Sequence, residues 1–284
     1  MSQNINPSSS LPPLSTGNVV SAGIRIYRSH FKQYLGLAFK ALLWWFIPVY
    51  GWAKSAAILA AICRHAFSEL IDKPESTSNS CEQLNPRLWD FWVTGILVGL
   101  INFGINLGLS LAAGIILIIP VILLKVIVKD SAITTSLTSL LQIFIRLITF
   151  VIQIWFQARF FVSELPLAME DNMDSTTTIT RSWQLTQGYA VKIQTILFVA
   201  YLITAPLFIV AFLPLFFMIP VLASHPSQDT IISVVAISVL VMAILIIIFS
   251  VLMIPFWQAI KAVIYYDLRS RKEGLGLQLR DRSI

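Results

Sequence analysis

The chain has 284 residues, of which 57% are hydrophobic and only 12% charged, and its formal net charge at pH 7 is +6. Soluble domains carry about 25% charged residues, so this balance excludes an ordinary water-soluble protein. The surplus of positive charge falls mostly in loops and in the C-terminal tail. There it sets membrane orientation and meets lipid headgroups; it is not a nucleic-acid signal.

The fold class expected is all-α, a polytopic integral membrane protein of about six helical segments arranged as three helical hairpins. Residues 1–24 have neither a basic start nor a continuous apolar run. They predict a disordered N-terminal tail, not a cleavable signal peptide. Residues 25–274 form the helical membrane domain, and 275–284 a C-terminal tail.

The first hairpin is expected over about 35–67, where "IPVYGW" at 47–52 interrupts the apolar run. A single helix of that length would be about 50 Å long, too long for a hydrocarbon core of about 30 Å. Two helices turning at Pro48–Gly51 fit better, and the pair either crosses fully or dips in and returns. The second hairpin, 91–162, divides at "KDS" (129–131), and the third, 190–266, at "SHPSQD" (224–229). Pro120, Pro206, Pro214 and Pro220 predict breaks within these long segments. Fifteen of the 20 basic residues fall at the inner ends of the hairpins or in the segments before, between and after them. By the positive-inside rule both termini are then cytoplasmic.

Three apolar stretches end alike. Glu69-Leu70, Glu164-Leu165 and Asp267-Leu268 each have a Glu six residues after the first acid, at Glu75, Glu170 and Glu273. Each hairpin also opens with an arginine followed two residues later by a ring: Arg28 and His30, Arg87 and Trp89, Arg181 and Trp183. This pattern predicts a threefold repeated hairpin. Its physical role would be a clasp at the inner interface, where an entering arginine meets an exiting carboxylate or a lipid phosphate. Between the second and third hairpins, about 174–187, a short interfacial helix is expected. Asp174 or Ser175 would cap it and Gly188 would end it, while Trp183 would lie at headgroup level.

The stretch "ELPLAMEDNMDSTTTITRSWQLTQGY", with "YYDLRSRKEG" near the C-terminus, resembles the membrane domain attached to some bacterial glycerophosphoryl diester phosphodiesterases and its stand-alone bacterial and cyanobacterial relatives. The resemblance implies a helical membrane domain in a bacterial inner (plasma) membrane or a thylakoid membrane. It does not import the phosphodiesterase chemistry, which belongs to a separate soluble barrel.

Inside the apolar segments, Arg146 lies at nearly the same depth as Asn102 and Asn106, an i,i+4 pair on the preceding helix. A midplane arginine is costly and faces a partner or water, so Arg146 is predicted to face the asparagines. Gly95, Gly99, Gly104 and Gly108 offer close helix approach. The cysteines, Cys63 and Cys81, have no metal-ligand spacing, and His30, His65 and His225 are scattered along the chain. No metal, cofactor or catalytic residue is therefore expected, and no His-Glu-x-x-His or Gly-x-Ser-x-Gly stretch occurs.

The function expected is that of a non-catalytic membrane scaffold or a lipid- and partner-interacting domain. A transporter or flippase-like protein for an anionic lipid or solute is the second reading, and an intramembrane lipid enzyme the third. The expected partners are membrane lipids, anionic ones among them, and another membrane protein.

Overall fold

A computed structural model describes residues 14–128, 130–224 and 227–275, and among these every regular element is a helix. In chain order they are α1 (Thr16–Ser29), α2 (Phe31–Trp45), α3 (Tyr50–Leu70), α4 (Thr77–Leu84), α5 (Leu88–Ile127), α6 (Ser131–Phe160), α7 (Leu165–Met169), α8 (Thr177–Thr186), α9 (Ala190–Ala223) and α10 (Gln228–Glu273). A single 3-10 turn, Asn85–Arg87, leads into α5.

Residues 14–24 of the expected tail are instead ordered, with α1 beginning at Thr16. Residues 1–13 lie outside the described residues, but from Leu14 onward the chain is part of the core. The Ser15 hydroxyl caps α1 by accepting from the Asn18 amide at 3.3 Å. Val19, Val20, Ala22, Gly23 and Ile26 then bury one face of the helix. The Ser- and Pro-rich residues before it conceal this stripe in a composition reading.

Helices α2 and α3 pack together, as do α5 with α6 and α9 with α10. Four helices (α5, α6, α9 and α10) are long and apolar enough to cross a membrane, rather than six. The exceptions are the members of the first pair. With 15 residues, α2 reaches about 22 Å, short of a hydrocarbon core of about 30 Å. The 21 residues of α3 include Lys54, Arg64, His65 and Glu69. The turn between them bends at Val49, whose φ is +62°, and there the Tyr50 amide donates to Pro48 O at 2.8 Å. Gly51 is required at this turn because a Cβ there would meet Trp44 O at 2.0 Å.

The prolines do not break the long helices. Pro120 lies within α5, Pro206, Pro214 and Pro220 within α9, and Pro255 within α10, and each helix continues through them. In apolar surroundings the carbonyls freed by a proline are re-satisfied locally more easily than the helix can be interrupted.

Burial divides the molecule into two parts. On α10 no residue before Pro255 is buried, whereas twelve are buried between Pro255 and Leu268. Of the 40 residues of α5, only Phe91 and Thr94 are buried. The core is built at one end from α1, α3, the first turns of α9, the last turn of α6 and the second half of α10. There Gly23 meets Ile260, Cys63 donates its S–H to Gln258 O at 3.3 Å, and Phe67 lies 5.6 Å from Tyr265. The opposite end consists of four apolar helices that present Leu, Ile, Val and Phe outward.

Candidate functional site

Ion pairs gather within the folded end, beyond Pro255 on α10. The six acids of the predicted clasp are all paired. Glu69 faces His30 at 3.6 Å, Glu75 takes Arg64 at 3.0 Å, and Glu164 takes Lys261 at 2.7 Å. Glu170 and Glu273 share Arg181, with Arg269 adding a second bond to Glu273 at 2.9 Å. Asp267, at 2% exposure, takes Lys192 and Arg271, and its Oδ1 also accepts from the Leu14 amide at 2.7 Å.

The predicted arginines behave in three different ways. Arg181 bridges the carboxylates of two hairpin ends, as a clasp would. Arg87 instead donates to main-chain carbonyls, to Leu167 O at 2.8 Å and to Met173 O, and lies 3.8 Å from Asp90. Arg28 makes no ion pair among the described residues; its neighbour His30 takes the acid. The three acid-Leu sites therefore stand in three unlike surroundings. Arg64, Lys192, Lys261, Arg269 and Arg271, absent from the predicted clasp, make five of the eight pairs to these acids among the described residues. They lie within helices, and Lys192 and Lys261 are far in sequence from the acids they meet, so the role of those two requires the tertiary packing.

The linker helix forms as α8, three residues shorter at its start than expected. The Asp174 carboxylate accepts from the Thr177 and Thr176 amides at 2.7 and 3.1 Å. Hydrogen bonds from the Thr177 hydroxyl and amide, then from Thr176, lower its pKa to about 2. Gly188, with φ +84°, lies just past the end of the helix. Trp183 stacks 4.1 Å under the Arg159 guanidinium and lies 5.9 Å from the Trp155 ring. The indole is therefore held by α6 in an aromatic stack at the border of the folded end.

Between α5 and α6 runs a cavity of about 760 Å³ lined by Asn106, Ser110, Ser139, Gln142, Arg146, Thr149 and Gln153 among apolar neighbours. Arg146 and Asn106 thus line one space, but Asn102 does not, and neither asparagine bonds the guanidinium. Their side-chain amides donate back along α5, to Val98 O and Asn102 O, both at 2.9 Å. Arg146 is exposed to the cavity and makes no ion pair among the described residues. The sequence reading missed the polar side chains flanking it. The signal was present in their spacing: Ser139, Gln142, Arg146, Thr149 and Gln153 recur at steps of three and four, one stripe of a helix.

Two of the histidines that look scattered in the sequence are brought together. The His30 and His65 rings lie 4.7 Å apart, and Tyr34 Oη and His65 Nδ1 share a hydrogen bond of 2.8 Å. Burial first, and then neighbouring His30, push the His65 pKa below its ordinary value. His225 lies outside the described residues. Cys63 and Cys81 are unbridged, and burial raises both thiol pKa values.

All eight tryptophans lie outside the spans 93–154 and 184–256. Tyr50 lies 6.4 Å from Trp89, Trp89 lies 5.9 Å from Trp92, and Tyr201 lies 4.6 Å from Trp257. Compared with protein-family models, with curated proteins and with solved structures, the chain finds no match.

Proposed function

We propose that this is a non-catalytic integral membrane protein, a scaffold whose folded end sits on one face of the bilayer and holds lipid headgroups and a membrane-protein partner. The observation that carries the proposal is the division of α10, unburied before Pro255 and buried from Pro255 to Leu268. A helix with that division fits a boundary between lipid and a protein core. The tryptophans support it, since indoles favour the headgroup level and these lie around one end of the long helices.

In this reading α5, α6, α9 and α10 cross, and α2 and α3 make a third, shallow hairpin. Its tip, with Trp45 at 60% and Phe46 at 67% exposure, would dip into the interface and return. The surplus of basic residues at the folded end supports placing both termini in the cytoplasm. The resemblance to the membrane domain of glycerophosphoryl diester phosphodiesterases supports a bacterial inner or thylakoid membrane.

A second reading, a transporter or flippase-like protein for an anionic lipid or solute, is favoured by one feature. Arg146 lines a cavity, shared with Asn106, Gln142 and Gln153 among apolar neighbours, within a lipid-length hairpin and without a carboxylate partner among the described residues. Mass spectrometry of lipids and proteins that co-purify in mild detergent tests both. Wild-type protein should carry an anionic phospholipid above its share of the membrane, and Arg181→Ala should reduce that enrichment. Loss on Arg146→Leu instead would favour the second reading. A lipid profile equal to that of the bulk membrane, with no stoichiometric protein partner, would overturn both.

A further inference from the structure

The joint between α1 and α2 brings residues 35 to 39 positions apart into one cluster. His30 ends α1 and opens α2, and its backbone (φ −114°, ψ 23°) leaves the helical track. That departure turns its ring toward the last two turns of α3. His65 and Glu69, four residues apart, share one face there. One ligand-capable atom from each of His30, His65 and Glu69 lies within 4.8 Å of the other two. The His30 Nε2 to Glu69 Oε1 distance is 3.6 Å, and the two imidazole rings stand at 74° to one another.

We propose that His30, His65 and Glu69 form a binding site for one divalent transition-metal ion of the Zn²⁺ type, with the fourth coordination position left to water or a small ligand. Two imidazoles and a carboxylate are a donor set suited to Zn²⁺, and three protein ligands plus one open position is a recurring zinc arrangement. Tetrahedral Zn²⁺ with bonds near 2.0–2.1 Å needs its ligand atoms roughly 3.3–3.5 Å apart. Side-chain rotations can supply the contraction from the observed spacing. Tyr34 plays the orienting part that a metal-bound histidine needs, because with Nδ1 engaged by the phenol, Nε2 is left to ligate.

The exposures suit entry from one side. His65 is 3% exposed, whereas the His30 and Glu69 side chains are 23% and 32% exposed. The ion would tie the α1–α2 joint to α3 and so fix the angle at which the shallow hairpin leaves the core. Binding forms only coordinate bonds, displacing water from the hydrated ion and any proton on the ligating imidazoles, and needs no oxidant or reductant.

The test uses the full chain in mild detergent, stripped of metal and then titrated with Zn²⁺ by calorimetry and with Co²⁺ by visible absorption. One ion per chain should bind, with the intense bands of four-coordinate Co²⁺, and Zn²⁺ should raise the melting temperature. Glu69→Gln and His65→Ala should each abolish saturable binding. Tyr34→Phe should weaken it about 10- to 100-fold, the usual loss when an outer partner of a metal-bound histidine is removed. Cys81→Ser should leave it unchanged. Should His65→Ala fail to fold, Glu69→Gln, on a partly exposed side chain, carries the same expectation. Absence of saturable uptake, or uptake that survives Glu69→Gln, would overturn the proposal and leave His30 and Glu69 as polar neighbours alone.

Discussion

Asp267→Ala is the perturbation that most directly tests how the N-terminal segment is held. The carboxylate, 2% exposed, joins three parts of the chain: the Leu14 amide at 2.7 Å, Lys192 on α9 and Arg271 one turn along α10 at 3.0 Å. Removing one member of a buried ion pair costs about 3–5 kcal/mol, because the partners keep their charge without their counter-charge. That figure must be discounted here, since the Lys192 and Arg271 side chains are 20% and 24% exposed and can turn toward water. The Leu14 amide cannot, and an orphaned buried N–H costs about 1–3 kcal/mol. The sum expected is about 3 kcal/mol, a fall in Tm of several degrees; the shift per kcal/mol is below the roughly 2–4 °C of chains of 150–250 residues because this chain is longer. Thermal melts in mild detergent, followed by tryptophan fluorescence, measure the first effect. Hydrogen exchange over residues 14–20 measures the second, and those amides should lose protection before the rest of the core. Asp267→Asn, which keeps one acceptor for Leu14, should lose less. A melt superimposable on wild type, with residues 14–20 still protected, would refute the reasoning.

Gly23 tests the contact between α1 and α10. A Cβ there would meet Ile260 Cδ1 at 2.5 Å and Cγ1 at 3.2 Å. In Gly23→Ala a helix-propensity gain of about 1 kcal/mol offsets the crowding, so its melt should stay close to wild type. Gly23→Leu should destabilise by about 1–3 kcal/mol through overpacking, and a Leu variant as stable as the Ala variant would count against the close approach. Asp174 tests the α8 cap by pH. Its folded pKa is lowered, so its contribution is complete above the unfolded value of about 3.9 and is lost as pH falls through about 2. A carboxyl NMR titration should show a midpoint near 2 that moves up toward about 3.9 in Thr177→Val; an unmoved midpoint would contradict the cap.

Much of the architecture was legible because hydropathy is a local property. The apolar runs over 91–162 and 190–266 became α5, α6, α9 and α10, and the intervening turns fell where Asp130 and Ser227 cap the following helices. What could not be read was the partition along a single run. Residues 228–254 and 255–268 of α10 are alike in composition until Lys261, yet only the second is packed, because α1 and α3 arrive there from far away in sequence. The site was legible in the same measure. An entering arginine beside exiting carboxylates is suggested by helix-end charges recurring at regular offsets, but that Arg181 takes both Glu170 and Glu273 is seen only in the fold. The Arg87 bonds to Leu167 and Met173 carbonyls were hidden, since main-chain acceptors leave no trace in residue identity. The meeting of His30 with His65 was hidden too, because it depends on a backbone departure at one residue.

The unbroken run of α10 also has a mechanical consequence. Its 46 residues make a rod of about 69 Å, sunk in the folded end from Pro255 and bare before it. A bilayer that thins or thickens changes the tilt of the helices that cross it. The helix runs about 27 Å beyond Pro255 to Glu273, so a tilt of about 10° would swing that end, with Arg181 of α8 paired to it, sideways by about 5 Å. Membrane thickness would then be transmitted along the helix as a displacement of the charged face.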